Sequence, residues 1–434
     1  MSYRLSDYQY MLPEDRIAQH PVVPAHNSKL LVADCSDQTM TLSDHQFFEL
    51  PQLLEPDTLL IANNSQVFAS RIILHDVQVI LNNWTEVLLG QGELLIVRVL
   101  FDEEGNLDKN HCVAWFSDKK HCRPGCKIVI WSSPCILLEE TRGGTKGPVP
   151  NTSISLLDSS LVPRSEWQVI VIHSKQFFDD GILIELEWID LITLCEQYGD
   201  MPLPPYITQA TAEDKVRYKT SFGHELWSVA TPTAGLHFTT ELRQKLQQNN
   251  IQREEITLHV GIGTFAPVVS EDIRDHQLHA EYITIDTTLF ERIYRQKLSW
   301  KPIITIGTTS TRTIESLPYL FRLLSDELKL LLSPDVYDWR YKYSQDWWDR
   351  YIVYTHIQSD KISFSSSLFI YPWFERKLID WLITNFHLPG TSLVMLVAGL
   401  VWYTHRQQSY THALAFDYRF ASFGDGMLIK LWSL

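Results

Sequence analysis

The sequence predicts an α/β protein, a layered α/β sandwich carrying an inserted small β-barrel domain. Two observations carry this expectation. Strand-length apolar runs alternate with helix-length segments near both ends of the chain. From about Ile72 to Asp190 that alternation stops, and short β-rich runs recur between clusters of Gly, Pro, Asn and Asp. With 434 residues, 45% apolar and 21% charged, the chain is long enough for two or three domains with large cores. The expected division is a discontinuous α/β domain over 1–71 and 191–434, with the insert at 72–190.

In chain order, KLLVADC (Lys29–Cys35) and TLLIANN (Thr58–Asn64) read as strands. Between them Asp44–Leu54 reads as a helix opened by Asp44. The insert supplies ELLIVRVL, HCVAWF, CKIVIW, WQVIVIHS and GILIELEW. Asp190–Tyr198 is an expected helix capped by Gly199. Helices are expected over Glu241–Asn250, Leu289–Leu298, Thr391–Tyr403 and His412–Tyr418, with another starting in STRTIESL. Strands are expected over Ile256–Val260, Ala280–Asp286, Pro302–Gly307, Leu368–Pro372 and Leu378–Phe386, and in the closing GMLIKL. Asn151–Arg164 and Pro318–Ser367 read as elaborations without a clear period.

The balance of 37 Lys and Arg against 52 Asp and Glu gives a formal charge of −15. That excludes a protein that coats nucleic acid by bulk electrostatics, though not one with a local basic patch. The first residues hold no apolar signal core. The longest apolar run, Leu393–Tyr403, is short of the ~20 residues a membrane span needs. Six cysteines in a chain this long are no disulfide framework. A cytoplasmic, monomeric protein with no membrane partner is expected.

Candidate chemistry concentrates after Ala230. In ATPTAGLHFT, Pro232 and Gly235 bracket a turn that presents Thr233 and His237 ahead of a helix. ITLHVGIGTF ends a strand at His259 and opens into Gly261, Gly263 and Thr264; GxG alone does not make a dinucleotide fingerprint. HQLHAE supplies His276, His279 and Glu281, without the spacing that sets two histidines on one helical face. PIITIGTTSTRTIESL runs a strand into Thr308, Thr309 and Ser310, at the strand end where open α/β sheets bind ligands. Arg312 suits a carboxylate or phosphate, or pairs with Glu315 one turn on. Asn385 and His387 end another strand, and Arg419, Ser422 and Asp425 precede the last.

In order along nearly the whole chain, these motifs resemble the S-adenosylmethionine:tRNA ribosyltransferase-isomerase family of queuosine biosynthesis. The matching segments are YxLPEDRIAQHP (Tyr8–Pro21), MPLPPYI (Met201–Ile207), PTAGLHFT (Pro232–Thr239), TLHVGIGTF (Thr257–Phe265), HxxHAE (His276–Glu281), IGTTSTRTIES (Ile306–Ser316), LITNFHLP (Leu382–Pro389) and YRFxSxGDxMLI (Tyr418–Ile429). Departures include Asn64, Gln66 and Ala69 in NNSQVFASRI, Trp373 for a glycine and Gly390 for a lysine. The resemblance implies transfer and isomerisation of the ribosyl group of S-adenosylmethionine onto 7-aminomethyl-7-deazaguanine in tRNA. The acceptors would be wobble positions of tRNAs with GUN anticodons (Asp, Asn, His, Tyr). Products would be epoxyqueuosine-tRNA, adenine and methionine. S-adenosylmethionine is the co-substrate and no metal is expected.

Under that reading His237, His259, His279 and His387 are candidate proton-transfer groups, Arg312 and Arg419 anion anchors, and Asp425 the group orienting one of them. Pro232, Thr233, Gly235, Gly261, Gly263, Thr264, Thr308, Thr309, Ser310 and Asn385 would hold the nucleoside, and Lys215, Arg217 and Lys219 the tRNA. Two alternatives stay open. One is a divergent paralogue that binds S-adenosylmethionine with a different acceptor or none. The other is a metal-dependent hydrolase built on His259, His276, His279 and Glu281.

Overall fold

A computed structural model describes residues 3–37, 39–80, 86–102, 106–117, 126–132, 168–178, 181–187, 189–261, 267–324, 352–358 and 360–432. The chain is mixed α/β and divides into two compact units. One holds Met1–Phe68, Phe101–Asn106 and Met201–Leu434; the other holds Ala69–Leu100 and Leu107–Asp200. Gly263, Thr264, the Asn151–Arg164 loop and residues 325–351 lie outside the described residues. No helix among the described residues is long and apolar enough to cross a membrane.

The strands, in order, are β1 (Lys29–Asp34), β2 (Thr41–Gln46), β3 (Leu59–Asn63) and β4 (Ser65–Val67) of the first unit. The second unit follows with β5 (Arg71–Ile80), β6 (Glu86–Phe101), β7 (Leu107–Phe116), β8 (Lys127–Ser132), β9 (Gln168–Phe178), β10 (Gly181–Glu187) and β11 (Gly199–Asp200). The first unit resumes with β12 (Glu225–Ser228), β13 (Gln252–Leu258), β14 (Glu281–Asp286), β15 (Ile303–Ile306), β16 (Ile352–Gln358), β17 (Lys361–Ser366), β18 (Trp381–Asn385) and β19 (Gly426–Lys430). The helices are α1 (Leu50–Leu53), α2 (Leu191–Tyr198), α3 (Ala212–Arg217), α4 (Thr240–Gln248), α5 (Thr288–Leu298), α6 (Gly307–Leu323), α7 (Ser392–Val401) and α8 (Tyr403–Ala415).

In the second unit seven strands run β11-β5-β6-β7-β10-β9-β8, and β8 pairs back onto β5 with Val77 opposite Ile130. In the first unit a ten-stranded sheet runs β16-β17-β14-β13-β3-β15-β18-β19-β1-β2. Its centre, β13-β3-β15-β18, is parallel. Side chains alternate between faces, so β3 sends Leu59 and Ile61 one way and Leu60 and Ala62 the other. The first pair packs with Phe290 and Ile293 of α5, Leu317 and Leu320 of α6, and Met395 of α7. The second packs with Leu242 and Leu246 of α4. With apolar packing on both faces, β3 and β15 read as nearly continuous apolar runs, whereas β13 opens on exposed Gln252 and Arg253.

Several expected elements differ. The segment Asp44–Leu54 is not one helix: Asp44 lies in β2 opposite Leu31, and a 3₁₀ turn over Phe47–Glu49 leads into α1. The cap there is Gln46, in a reciprocal box with Glu49. Leu368–Pro372 is no strand, although Leu368, Phe369, Ile370 and Tyr371 are all buried. That neighbourhood's strands are β16 and β17, a hairpin on β14 that the unpatterned stretch before Ser367 did not announce. The apolar helix α7 stops at Val401, where Trp402 turns to φ 69°, and α8 starts one residue later, well before His412. Gly199 does close α2, but in an extended conformation. A Cβ there would lie 2.1 Å from the Ala69 carbonyl, so close approach and not a left-handed turn demands glycine.

Candidate active site

Sheet topology places the candidate residues along one edge. The parallel strands β3, β13, β15 and β18 deliver their carboxyl ends there, which brings His259, Gly307 and Asn385 to the same side. Antiparallel β14 and β19 deliver their amino ends, so Glu281 and Asp425 join them. Such an edge, outside the carboxyl ends of parallel strands, is where α/β sheets bind ligands.

His237 occupies the middle of the best-ordered group. It closes a 3₁₀ turn over Thr233–His237 that Pro232 caps. Thr233 Oγ1 donates to Asn385 Oδ1 at 3.0 Å, which fixes the amide so that Asn385 Nδ2 faces His237 Nε2 at 3.3 Å. Phe47 stacks on the imidazole, with centroids 4.0 Å apart and planes 11° apart. The ring also donates to the Ala25 carbonyl. Since Nε2 accepts from Asn385, the proton sits on Nδ1. Burial holds this histidine down at about 3, against the opposing Ala25 bond and with nearby Arg419 adding a little.

Arg419 and Asp425 form the next group. Asp425 accepts from the backbone N–H of Lys29 at 3.0 Å and of Arg419 at 2.8 Å, and Arg419 Nη2 lies 3.4 Å from its carboxylate. Arg419 Nη1 donates to the His20 carbonyl at 3.2 Å. His387, likewise held at about 3 by burial, lies with Nε2 2.8 Å from Thr384 Oγ1. Its backbone is gripped by two tyrosines: Tyr410 OH accepts from the N–H at 3.2 Å, and Tyr10 OH donates to the carbonyl.

A second cluster forms around Glu281. Its carboxylate pairs with Arg312, both nearly buried, and accepts from Gly261 N at 3.3 Å. The i,i+3 pairing of Arg312 with Glu315 does not occur. Glu315 instead accepts from three successive backbone N–H groups, Lys377, Leu378 and Ile379, at 2.6–2.9 Å. His259 lies against Phe101 and Tyr282, and burial lowers it to about 4. His276 meets the edge of Phe369 and is lowered by burial and by His279. Glu281 therefore does not gather with His259, His276 and His279 as the hydrolase alternative requires. Among the described residues no three His, Cys, Asp or Glu are grouped to hold a metal ion.

The hydroxyl run after β15 is not uniform. Ser310 Oγ donates back to the Ile306 carbonyl at 2.8 Å, which uses its proton within the helix and leaves only its lone pairs. Thr309 Oγ1 is buried with no hydrogen-bond partner among the described residues, which leaves it available. Thr308 is also buried. Gly307 adopts φ +87°, a conformation L side chains rarely take. Gly235 packs against Thr220, where a Cβ would sit 3.0 Å from Cγ2. Of the residues singled out from sequence, the structure joins His237 with Thr233 and Asn385, and Arg419 with Asp425. The sequence reading missed Phe47 as the support of His237 and Tyr410 and Tyr10 as those of His387, although Tyr10 lies within a motif already noted.

The family described as queuosine biosynthesis protein matches residues 5–429. The chain is 35% identical to the S-adenosylmethionine:tRNA ribosyltransferase-isomerase of Synechococcus elongatus over 98% of this chain and 96% of that relative. It is 33% identical to the enzyme of that name from Desulfitobacterium hafniense, over 98% and 99% respectively. A solved S-adenosylmethionine tRNA ribosyltransferase from Thermotoga maritima is 22% identical, with a TM-score of 0.45 over 98% of this chain and 99% of that one.

Proposed function

This chain belongs to the queuosine biosynthesis protein family, and from that premise we propose that it transfers and isomerises the ribosyl group of S-adenosylmethionine onto 7-aminomethyl-7-deazaguanine in tRNA. The acceptor is the wobble base of tRNAs with GUN anticodons. Adenine and methionine leave, and epoxyqueuosine remains in the tRNA. The chain is thus a transferase-isomerase with S-adenosylmethionine as co-substrate, and the reaction calls for no metal. The small barrel expected at 72–190 finds support in the return pairing of β8 onto β5.

The observation that carries the chemistry is His237, a neutral buried imidazole whose Nε2 lone pair is held only by a long 3.3 Å bond from Asn385 Nδ2 and becomes a base once that amide turns to the substrate. A carbon beside a sulfonium gives up a proton because the sulfonium stabilises the electron pair left behind. His237 takes that proton. An imidazolium in surroundings that hold it near 3 is a strong acid, so it passes the proton on as the bond from ribose to adenine breaks. Arg419, held by Asp425, anchors the methionine carboxylate. Thr308, Thr309 and the loop starting at Gly261 hold nucleoside edges. His387, His259 and His279 stand as secondary proton-transfer candidates.

Incubation with S-adenosylmethionine and tRNA bearing the aminomethyl base, followed by mass spectrometry of the digested tRNA, tests the function. Epoxyqueuosine is expected; its absence with a folded protein overturns the acceptor. For the base, His237→Ala is expected to slow adenine release by roughly 100-fold or more at saturating substrate. Near-normal rates in alanine variants of all four histidines would defeat the histidine reading.

A further inference from the structure

The first unit holds a cavity of about 690 Å³ between α4, the start of β13 and α5. Its charged lining is Arg243, Arg253 and Arg292, with the amides of Gln244, Gln247 and Gln252 beside them and no carboxylate. In a chain with a formal charge of −15, three arginines on one cavity is a local inversion of sign. Arg243 and Arg253 both lie over the Phe222 ring, at 5.8 and 5.4 Å from its centroid, near enough for the charge of Arg253 to act against that of Arg243. Arg253 and Arg292 each have an acidic partner outside the cavity, Glu255 at 3.1 Å and Glu254. Arg243 forms no ion pair among the described residues, and its Nε is buried with no hydrogen-bond partner. Among the described residues its side chain donates to Thr240 Oγ1, at a long 3.5 Å. Glu255 acts on it only from a distance, so among the described residues the guanidinium has no anion in the direct contact it is shaped for.

We infer that this cavity binds a phosphodiester of the tRNA substrate, with Arg243 as the principal contact and Arg253 and Arg292 as supporting charges. This rests on the tRNA reading above. The position suits it, because Phe238 lines the cavity and directly follows His237, and Phe47 touches both rings. The neighbouring cavity of about 440 Å³ shares Arg253 but is lined by Glu225, Glu254, Glu255 and Asp286, which confines an anion to the arginine side. Arg217, also expected to grip tRNA, makes an exposed pair with Glu213 in its own helix, as Arg253 and Arg292 pair with Glu255 and Glu254.

The test is binding of unmodified tRNA by fluorescence anisotropy across a salt series, for the full chain and for Arg243→Gln and Arg243→Lys. Arg243→Gln is expected to weaken binding about tenfold and to flatten the slope of log affinity against log salt by roughly 0.7–0.9. Arg243→Lys should recover the slope and part of the affinity, because it keeps the charge without the fork. Equal affinity and slope in a Gln variant with an unchanged melting temperature overturns the site. Titration with inorganic phosphate alone separates the sources: Arg243-dependent phosphate binding without any Arg243 effect on tRNA overturns the RNA assignment. If the unsubstituted protein does not bind tRNA at all, the tRNA reading itself fails.

Discussion

His237 and His387 are buried and uncharged, each held at about 3 against an ordinary 6.5 by loss of water. Their folded values lie below the unfolded one, so the unfolded chain takes up protons first as pH falls. The stability they contribute is complete above 6.5 and is lost progressively between 6.5 and about 3. By pH 5 the pair costs roughly 4 kcal/mol. Urea midpoints at pH 7.5 and 5.0 should differ, and the difference should shrink in a His237→Asn, His387→Asn double variant; an unchanged difference would show that these rings titrate normally. Glu281 makes the opposite case. Glu281→Gln leaves Arg312 buried without a counter-charge, and a loss of about 3–5 kcal/mol is expected by denaturant unfolding. Motif position alone singled out His237 and Asn385, because each ends a segment bounded by turn residues. It could not show that Glu281 faces Arg312, since that pairing depends on β14 lying antiparallel to β13, a register no local pattern encodes.

Elements were most legible where both faces of a strand are buried. The runs over β1, β3, β15 and β18 are mostly apolar because packing lies on either side, and composition alone then marks them. The same rule misled at Leu368–Pro372, where an apolar run is buried as irregular chain, and at β16, whose mixed sequence suits an edge strand. Helix boundaries failed for a local reason, the left-handed Trp402 that separates α7 from α8. Glycines give the clearest tests at this scale. At Gly307 a Cβ would meet Ala234 at an ordinary 3.7 Å, so Gly307→Ala meets only the cost of φ +87°, about 1–2 kcal/mol. At Gly399, inside α7, a Cβ would lie 2.8 Å from the Tyr371 backbone, which cannot swing aside as a side chain can. Gly399→Ala should therefore lose more stability than Gly307→Ala in parallel denaturation. Gly307→Ala should in addition raise the KM for S-adenosylmethionine, because it opens the helix that presents Thr308 and Thr309; an unchanged KM would remove those hydroxyls from the substrate site.

At the scale of the whole molecule, the formal charge of −15 opposes a polyanionic partner, and salt acts on that opposition in two directions. Added salt screens the long-range repulsion, which favours association. It also reduces the gain from counterions released at each phosphate contact, which disfavours it. Repulsion between charges farther apart than ~8 Å is already largely screened at physiological ionic strength. Counterion release has no such cut-off and persists in proportion to the logarithm of salt. Above physiological salt the second effect therefore wins, and its size counts the contacts. Three arginines in the cavity imply a slope of about −2 to −3, or roughly a 20- to 60-fold loss of affinity for a fourfold rise in salt. Below physiological salt the repulsion reasserts itself, so the same plot should bend toward shallower slopes as salt is removed. A straight line of slope near zero, with tight binding throughout, would mean that the tRNA is held by contacts other than phosphate, and neither the cavity nor the net charge would then govern the acceptor.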